Sequence, residues 1–316
     1  MRQGSFGENK ERPTAWLRMR PLDLINIIML GIMWVATLLT LRAEPSNWLL
    51  LVAYAGMAAM LVAYPHVSVP WFDLPRRFRQ VYPLLYIMII FDSLARVVPN
   101  VNPHDVDDLL VRADRALLGV DPTLYLQRFV HPLAVEVLYV AYVLYFFIPF
   151  FLIWGLWREG KLEEITRWAC LVTIALYSNY CLYMVFPAKG PYLHLNHQVG
   201  LDGLALAGFF KQTLSRLEAN KFDVFPSAHV NAAIVTLYGF YRYYRRCVVP
   251  AAIVVAGIMI ATVYLRYHYV VDVVAGAALA GVSIAAGECY FRQWRSRAAG
   301  TVGVGCGKEI AGELKQ

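Results

Sequence analysis

Long apolar runs alternate with short polar breaks rich in arginine along most of the chain. A helix needs about 20 mostly apolar residues to cross roughly 30 Å of hydrocarbon. Runs of that kind lie near 22–41, 47–64, 81–98, 132–157, 165–186, 229–245, 248–265 and 269–290. The third contains Asp92 and Arg96, four apart on one helical face and so placed to neutralise each other against the bundle. Residues 99–131 form an extracytoplasmic stretch that opens on Pro99-Asn-Val-Asn-Pro103. Within it Val106, Leu109, Leu110, Ala113 and Leu117 recur at helical spacing, with Asp107, Asp108, Arg112 and Arg115 on other faces. That pattern predicts an amphipathic helix lying in the membrane interface. Pro187 and Pro191 end the fifth span, and 187–228 is the longest outside segment, a length usual for functional or disordered loops.

The expected architecture is an all-α polytopic membrane protein of about eight spans with both termini in the cytoplasm. The first two spans carry no candidate chemistry. The chain thus divides into a cytoplasmic segment with two additional helices (1–80), a six-helix core (81–297) and a glycine-rich, disordered tail (298–316). Of its 316 residues 59% are apolar and 16% charged, which excludes an ordinary soluble domain. Most of the 29 lysines and arginines fall on the side assigned to the cytoplasm, as the positive-inside rule requires. Anchoring near anionic lipid accounts for the net charge of +7, so no nucleic-acid partner is implied. The first apolar run is too long for a signal peptide and reads as a retained helix. The five cysteines form no C-x-x-C pair and read as small apolar residues. The tail glycines lack the strand and helix context of a nucleotide loop.

Two motifs stand at the mouths of apolar spans, Phe225-Pro-Ser-Ala-His229 and His268-Tyr-Val-Val-Asp272. His268 and Asp272, four apart at a helix start, share one face. A carboxylate on one imidazole nitrogen fixes the tautomer and leaves the other nitrogen free to attack, although such a pair also occurs as a plain helix-end contact. Ser227 and His229 follow Pro226 in the first turn of a helix, where Ser227 either caps the helix or helps to bind an anion at its free N–H groups. His229 then stands as an acid for a leaving oxygen. Arg266 has the geometry for phosphate oxygens, against a snorkelling arginine as the plain alternative. Lys189, in Phe186-Pro-Ala-Lys-Gly-Pro-Tyr192, reads as a phosphate clamp on a rigid turn. Two histidines, a serine and an aspartate at one membrane surface point to phosphoryl transfer. Other polar positions carry less. His194 and His197 lack a third ligand, and His104 with Asp105, Asp107 and Asp108 reads as a solvated helix start. Tyr241-Arg-Tyr-Tyr-Arg-Arg246 reads as an aromatic and basic belt, and Glu136 and Asn179 as hydrogen-bond partners or site-lining residues.

The two motifs resemble those of the type 2 phosphatidic acid phosphatase superfamily, and within it the branch containing the inositol phosphorylceramide synthases. Phe225-Pro-Ser-Ala-His229 looks like the second motif. Tyr264-Leu-Arg-Tyr-His-Tyr-Val-Val-Asp-Val-Val-Ala-Gly276 looks like the third, in the synthase-branch form with Tyr after the His and Gly four residues past the Asp. The resemblance covers roughly 81–290. It implies His268 as the nucleophile of a phosphohistidine, Asp272 as its orienting partner and His229 as the proton donor. It further implies Ser227 on a phosphate oxygen, Lys189 as the first-motif lysine, and no metal or other cofactor. Lys189 is not followed by the Arg-Pro of the phosphatase branch, and Ala261 and Thr262 stand where that branch has Ser-Arg. Arg266 is positioned to take that arginine's role, and the departures favour a head-group phosphotransferase.

The expected donor is a lipid phosphate or phospholipid, and the acceptor a lipid, polyol or sugar hydroxyl. A phosphatase using water shares the same first half-reaction. A non-catalytic lipid-binding or transport protein is the competing class, with turnover and its loss in a His268 variant as the discriminator. The expected location is a bacterial cytoplasmic membrane, with the site facing the periplasm.

Overall fold

The computed structural model describes residues 20–63, 82–217 and 220–313, with side chains to Arg297. Arg2, Lys10, Arg12 and Arg18, ahead of the first span, and Arg76, Arg77 and Arg79, all counted on the cytoplasmic side, lie outside this set, as do the side chains of the tail from 298. Among the described residues the chain is helical and contains no strand. Its helices are α1 (Pro21–Thr40), α2 (Trp48–Ala63), α3 (Leu85–Val101), α4 (Asp107–Leu118), α5 (Pro122–Leu126) and α6 (Pro132–Arg158). They continue with α7 (Leu162–Val185), α8 (Pro191–His194), α9 (Ala207–Leu217), α10 (Ala228–Tyr243), α11 (Val248–Tyr264) and α12 (Val270–Glu313). Seven segments among the described residues are long and apolar enough to cross a membrane: Pro21–Thr40, Pro45–Ala63, Tyr82–Val101, Pro132–Arg158, Leu162–Val185, Arg245–Tyr264 and Val270–Arg297.

The remaining expected span, α10, has 16 residues, about 24 Å at 1.5 Å per residue, and falls short of a full crossing. Its surroundings explain how it is tolerated. It packs against α6, α7, α11 and α12, and its Asn231 and Thr236 are fully buried. Asn231 Nδ2 donates to Asn179 Oδ1 at 2.7 Å and to the Ala175 carbonyl at 3.1 Å, so the polar groups are satisfied inside the bundle. Outer helices carry the lipid-facing surface. Phe150, Phe151, Trp154, Val249 and Ile253 point outward, as a polytopic protein requires.

The third span is a full helix, but its charges differ from expectation. Asp92 and Arg96 are exposed and form no ion pair with each other among the described residues. The buried face of α3 is set by Ile87, Ile90, Leu94 and Val97, which leaves positions 92 and 96 on the opposite side. The two N-terminal helices join the bundle through α1, which packs on α3 and α7 while α2 packs on α1. Asn26, fully buried, donates to the Leu22 and Pro83 carbonyls and accepts from the Tyr177 hydroxyl.

Candidate active site

Four helix ends meet at one end of the bundle: the C-termini of α7 and α11 and the N-termini of α10 and α12. The links between them explain why these sequences turn where they do. After α7, Gly190 adopts a left-handed backbone (φ 84), and a Cβ there would lie 2.7 Å from the Tyr267 carbonyl oxygen. Arg266 is also left-handed (φ 70), and its carbonyl accepts the Tyr192 N–H at 2.9 Å. The 186–192 turn and the turn after α11 are thereby stitched together. The N–H groups of Tyr267 and His268 both donate to the Thr262 carbonyl, which directs His268 inward.

His268 and Asp272 are 2% and 0% exposed, with Nδ1 and Oδ2 3.5 Å apart. That is ion-pair distance rather than a formed hydrogen bond; Oδ2 instead accepts the Tyr269 N–H at 2.9 Å. Catalytic hydrogen bonds are often long before substrate binds. On the other side of the ring, His268 Nε2 lies 3.2 Å from His229 Nδ1, and His229 Nε2 lies 2.8 Å from the Tyr142 hydroxyl. One set of tautomers satisfies all three contacts. The Tyr142 hydroxyl donates to His229 Nε2, His229 Nδ1–H donates to His268 Nε2, and the His268 Nδ1 proton faces Asp272. Burial, reinforced by the His229 imidazole, pushes His268 well below the usual imidazole range. Tyr267 stacks on Tyr142 at 4.8 Å and Tyr145 lies 4.6 Å from the His229 ring, so His229 is walled by aromatic rings.

Ser227 is the N-cap of α10. Its hydroxyl accepts from the Val230 N–H at 3.4 Å, and the residue is fully buried. Asn179 holds the preceding turn by donating to the Pro226 carbonyl at 2.7 Å. Helix α12 comes so close that a Cβ on Gly276 would lie 2.6 Å from the Ser227 carbonyl oxygen. Both capping and proximity to His229 therefore hold for Ser227. Lys189 Nζ donates to Asp105 Oδ2 at 2.7 Å, and its side chain is partly exposed. Arg266 is 4% exposed, with Nη2 donating to the Val199 carbonyl at 2.7 Å. Lys189, Arg266 and Tyr267 line one cavity of about 490 Å³. The two imidazoles do not line it; they follow directly on its wall through Tyr267.

The amphipathic helix α4 is present, with a different face inward. Leu109 and Leu117 are exposed, whereas Asp107, Leu110, Val111 and Asp114 are buried at helical spacing. Asp107 accepts from the N–H groups of Lys189 and Gly190 and from the Tyr269 hydroxyl at 2.7 to 2.9 Å. Asp114 accepts the first two N–H groups of α12, from Val270 and Val271. Two carboxylates thus brace both loops of the site, a role that sequence spacing did not reveal. His194 and His197 go to different partners, Asp108 and Thr123. Glu136 accepts the N–H groups of Leu204, Ala205, Leu206 and Ala207 at 2.5 to 3.3 Å, which fixes the start of α9. Tyr142 was also missed, since one tyrosine in an aromatic-rich span carries no distinguishing mark.

No curated protein and no solved structure matches the chain. A family model described as the PAP2 superfamily matches residues 108–286, more than half of the chain and all of the helix ends that form the site. With its helical membrane architecture, this chain belongs to the PAP2 superfamily, whose members are phosphatases or phosphotransferases that act on lipid phosphates.

Proposed function

We propose that this protein is an integral-membrane lipid phosphotransferase working through a phosphohistidine on His268, with a lipid, polyol or sugar hydroxyl as acceptor. The observation that carries the reading is the chain of contacts Asp272, His268, His229, Tyr142, in which a nucleophilic nitrogen and a proton donor face each other at 3.2 Å. His268 Nε2 attacks phosphorus, the bond to the leaving oxygen breaks, and that oxygen takes the proton from His229 Nδ1 while His229 Nε2 takes the Tyr142 hydroxyl proton, so the ring stays neutral. Asp272 stabilises the charge that develops on the His268 ring. An in-line displacement needs the phosphoryl group between Nε2 and the leaving oxygen, so substrate entry separates the two imidazoles. In the second half-reaction the acceptor oxygen attacks phosphorus and the bond to His268 Nε2 breaks, while His229 Nδ1 takes the acceptor's proton and Nε2 returns its own to Tyr142.

Lys189 and Arg266 neutralise the phosphoryl oxygens from the cavity side, and Ser227 supports one oxygen at the start of α10. Cationic side chains rather than a metal do this, so chelator leaves turnover intact. The departures of the first and third motifs from the phosphatase pattern support a synthase-like branch and transfer over hydrolysis. The site faces outward, toward the periplasm of a bacterial cytoplasmic membrane.

The test is rapid quenching of purified protein with a panel of labelled lipid phosphates and phospholipids. Acid-labile, base-stable label that disappears in His268→Ala supports the phosphohistidine. Turnover retained in that variant overturns it. A new phospholipid product supports transfer, whereas free phosphate as the sole product assigns the second half-reaction to water.

A further inference from the structure

The cavity of about 490 Å³ beside His268 is large for one phosphoryl group and falls in the range that holds a drug-sized molecule. Lys189 and Arg266 serve the phosphate under attack in the proposed reaction. Helix α9 adds Lys211 and Gln212 to the lining, and Asn220 joins them; none of the three is a reacting residue. Four cationic side chains line the cavity against one carboxylate, Asp223; Lys189 is paired with Asp105, and Lys221 and Asp223 also have partners. Lys211 lies 5.9 Å from the Tyr192 ring centroid and pairs with no carboxylate among the described residues. Asn220 is 2% exposed. Its Oδ1 accepts the Phe222 N–H at 3.1 Å, while its Nδ2 finds no partner among the described residues. A buried donor left unpaired is destabilising, and a ligand oxygen relieves it.

We propose that this cavity reads a second anionic group on the lipid headgroup, beyond the phosphate attacked by His268, and that Lys211 and Asn220 recognise it. The proposal rests on His268 being the nucleophile. The chemistry required is a phosphate or carboxylate, whose oxygens accept from both the Lys211 ammonium and the Asn220 amide. A headgroup ending in a quaternary ammonium meets the excess of positive charge and is rejected. Glu136 gives the site its rigidity. By holding the N–H groups that precede and open α9, it fixes the helix from which Lys211 is presented one turn later.

The experiment compares phosphatidic acid with phosphatidylglycerol phosphate, which carries a second phosphate, on the purified full-length protein in detergent. Turnover and equilibrium binding are both measured. In the unmodified protein the two-phosphate lipid is expected to show the lower KM. Lys211→Ala and Asn220→Ala are each expected to shrink the ratio of the two KM values by about tenfold, the scale of one charge-assisted hydrogen bond. Lys211→Arg is expected to keep most of the preference, and Lys211→Gln tests charge without loss of bulk. Equal KM values in the unmodified protein, or an unchanged ratio in the variants, overturns the proposal. Should neither lipid turn over, the catalytic reading fails, and binding then decides this one separately. Tighter binding of phosphatidylglycerol phosphate that is lost in Lys211→Ala sustains the headgroup site, and equal binding of both lipids refutes it.

Discussion

The Asp114 carboxylate closes the N-terminus of the helix that begins at Val270, a residue 156 positions further along the chain. Its Oδ2 accepts the Val270 N–H at 3.0 Å, and Oδ1 accepts from Val271 at 2.8 Å. Asp272 and the turn that carries His268 take their positions from that helix start. Asp114→Ala should therefore act as the loss of a helix cap, lowering stability by about 0.5–2 kcal/mol. Activity should fall further than stability alone explains. Thermal unfolding in detergent alongside kcat checks this, and a full-strength enzyme with an unchanged midpoint would show that the brace is dispensable.

His229 is assigned the proton for the leaving oxygen, so its loss should depend on what leaves. With a lipid alcohol as leaving group, His229→Ala should slow turnover by about 10²–10⁴-fold, the usual range for general acid catalysis. A soluble aryl phosphate, whose leaving phenolate needs no proton, should lose far less. Equal losses on both substrates would assign His229 to positioning rather than proton transfer.

The Lys189–Asp105 pair has a pH window that follows from its shifts. The hydrogen bond to Asp105 holds Lys189 above its ordinary value, and the same bond holds Asp105 below the usual carboxylate range. The contribution of Asp105 is present above the unfolded carboxylate pKa and is lost as pH falls through its lowered folded value. That of Lys189 is present below the unfolded lysine pKa and is lost as pH rises through its raised folded value. Asp105→Asn removes the cause of the lysine shift, so the alkaline fall of kcat/KM should move to lower pH. An alkaline limb that stays in place would exclude Lys189 as the group titrating there.

Gly276 has no room for a side chain, because its Cβ would meet the Ser227 carbonyl oxygen at 2.6 Å. Gly276→Ala should destabilise by about 1–3 kcal/mol through overpacking and should displace the Ser227–His229 turn. Gly281, on the same helix, has nothing within 4 Å of its would-be Cβ. There the same change should be neutral or stabilising by about 0.5–1 kcal/mol, as for a helix-interior glycine. Melting curves and turnover of the two variants side by side form the check; matching behaviour would show that α12 yields to the extra methyl.

Much of this architecture was legible in the chain because the dominant forces leave local marks. Apolar runs of membrane length marked the spans within a few residues, α10 excepted, and His268 with Asp272 could be paired because four residues is a local distance, although His268 stands in the turn before the helix rather than on it. The misreadings share one cause. Asp107 was read as a solvated charge and Asp114 was not singled out, since an acidic residue in a short amphipathic helix is usually solvated. Their burial is repaid by the N–H groups of Lys189, Gly190, Val270 and Val271 and by the Tyr269 hydroxyl, more than 70 positions away, which no local pattern encodes. Asp92 and Arg96 were read as facing the bundle on grounds of cost, whereas the apolar period of α3 turns them outward. Tyr142 reaches His229 across the bundle and Lys211 lines the cavity, and neither stands in a distinctive motif.

Helix α6 carries both Glu136, which fixes the segment presenting Lys211, and Tyr142, which holds His229. The six positions between them correspond to about 9 Å along one continuous helix. A single helix thus ties the segment that carries Lys211 to the ring of His229. On the reading proposed above, α6 acts as a ruler: lipids are sorted by how far their outermost charge lies from the phosphorus, and bending α6 changes the length it measures.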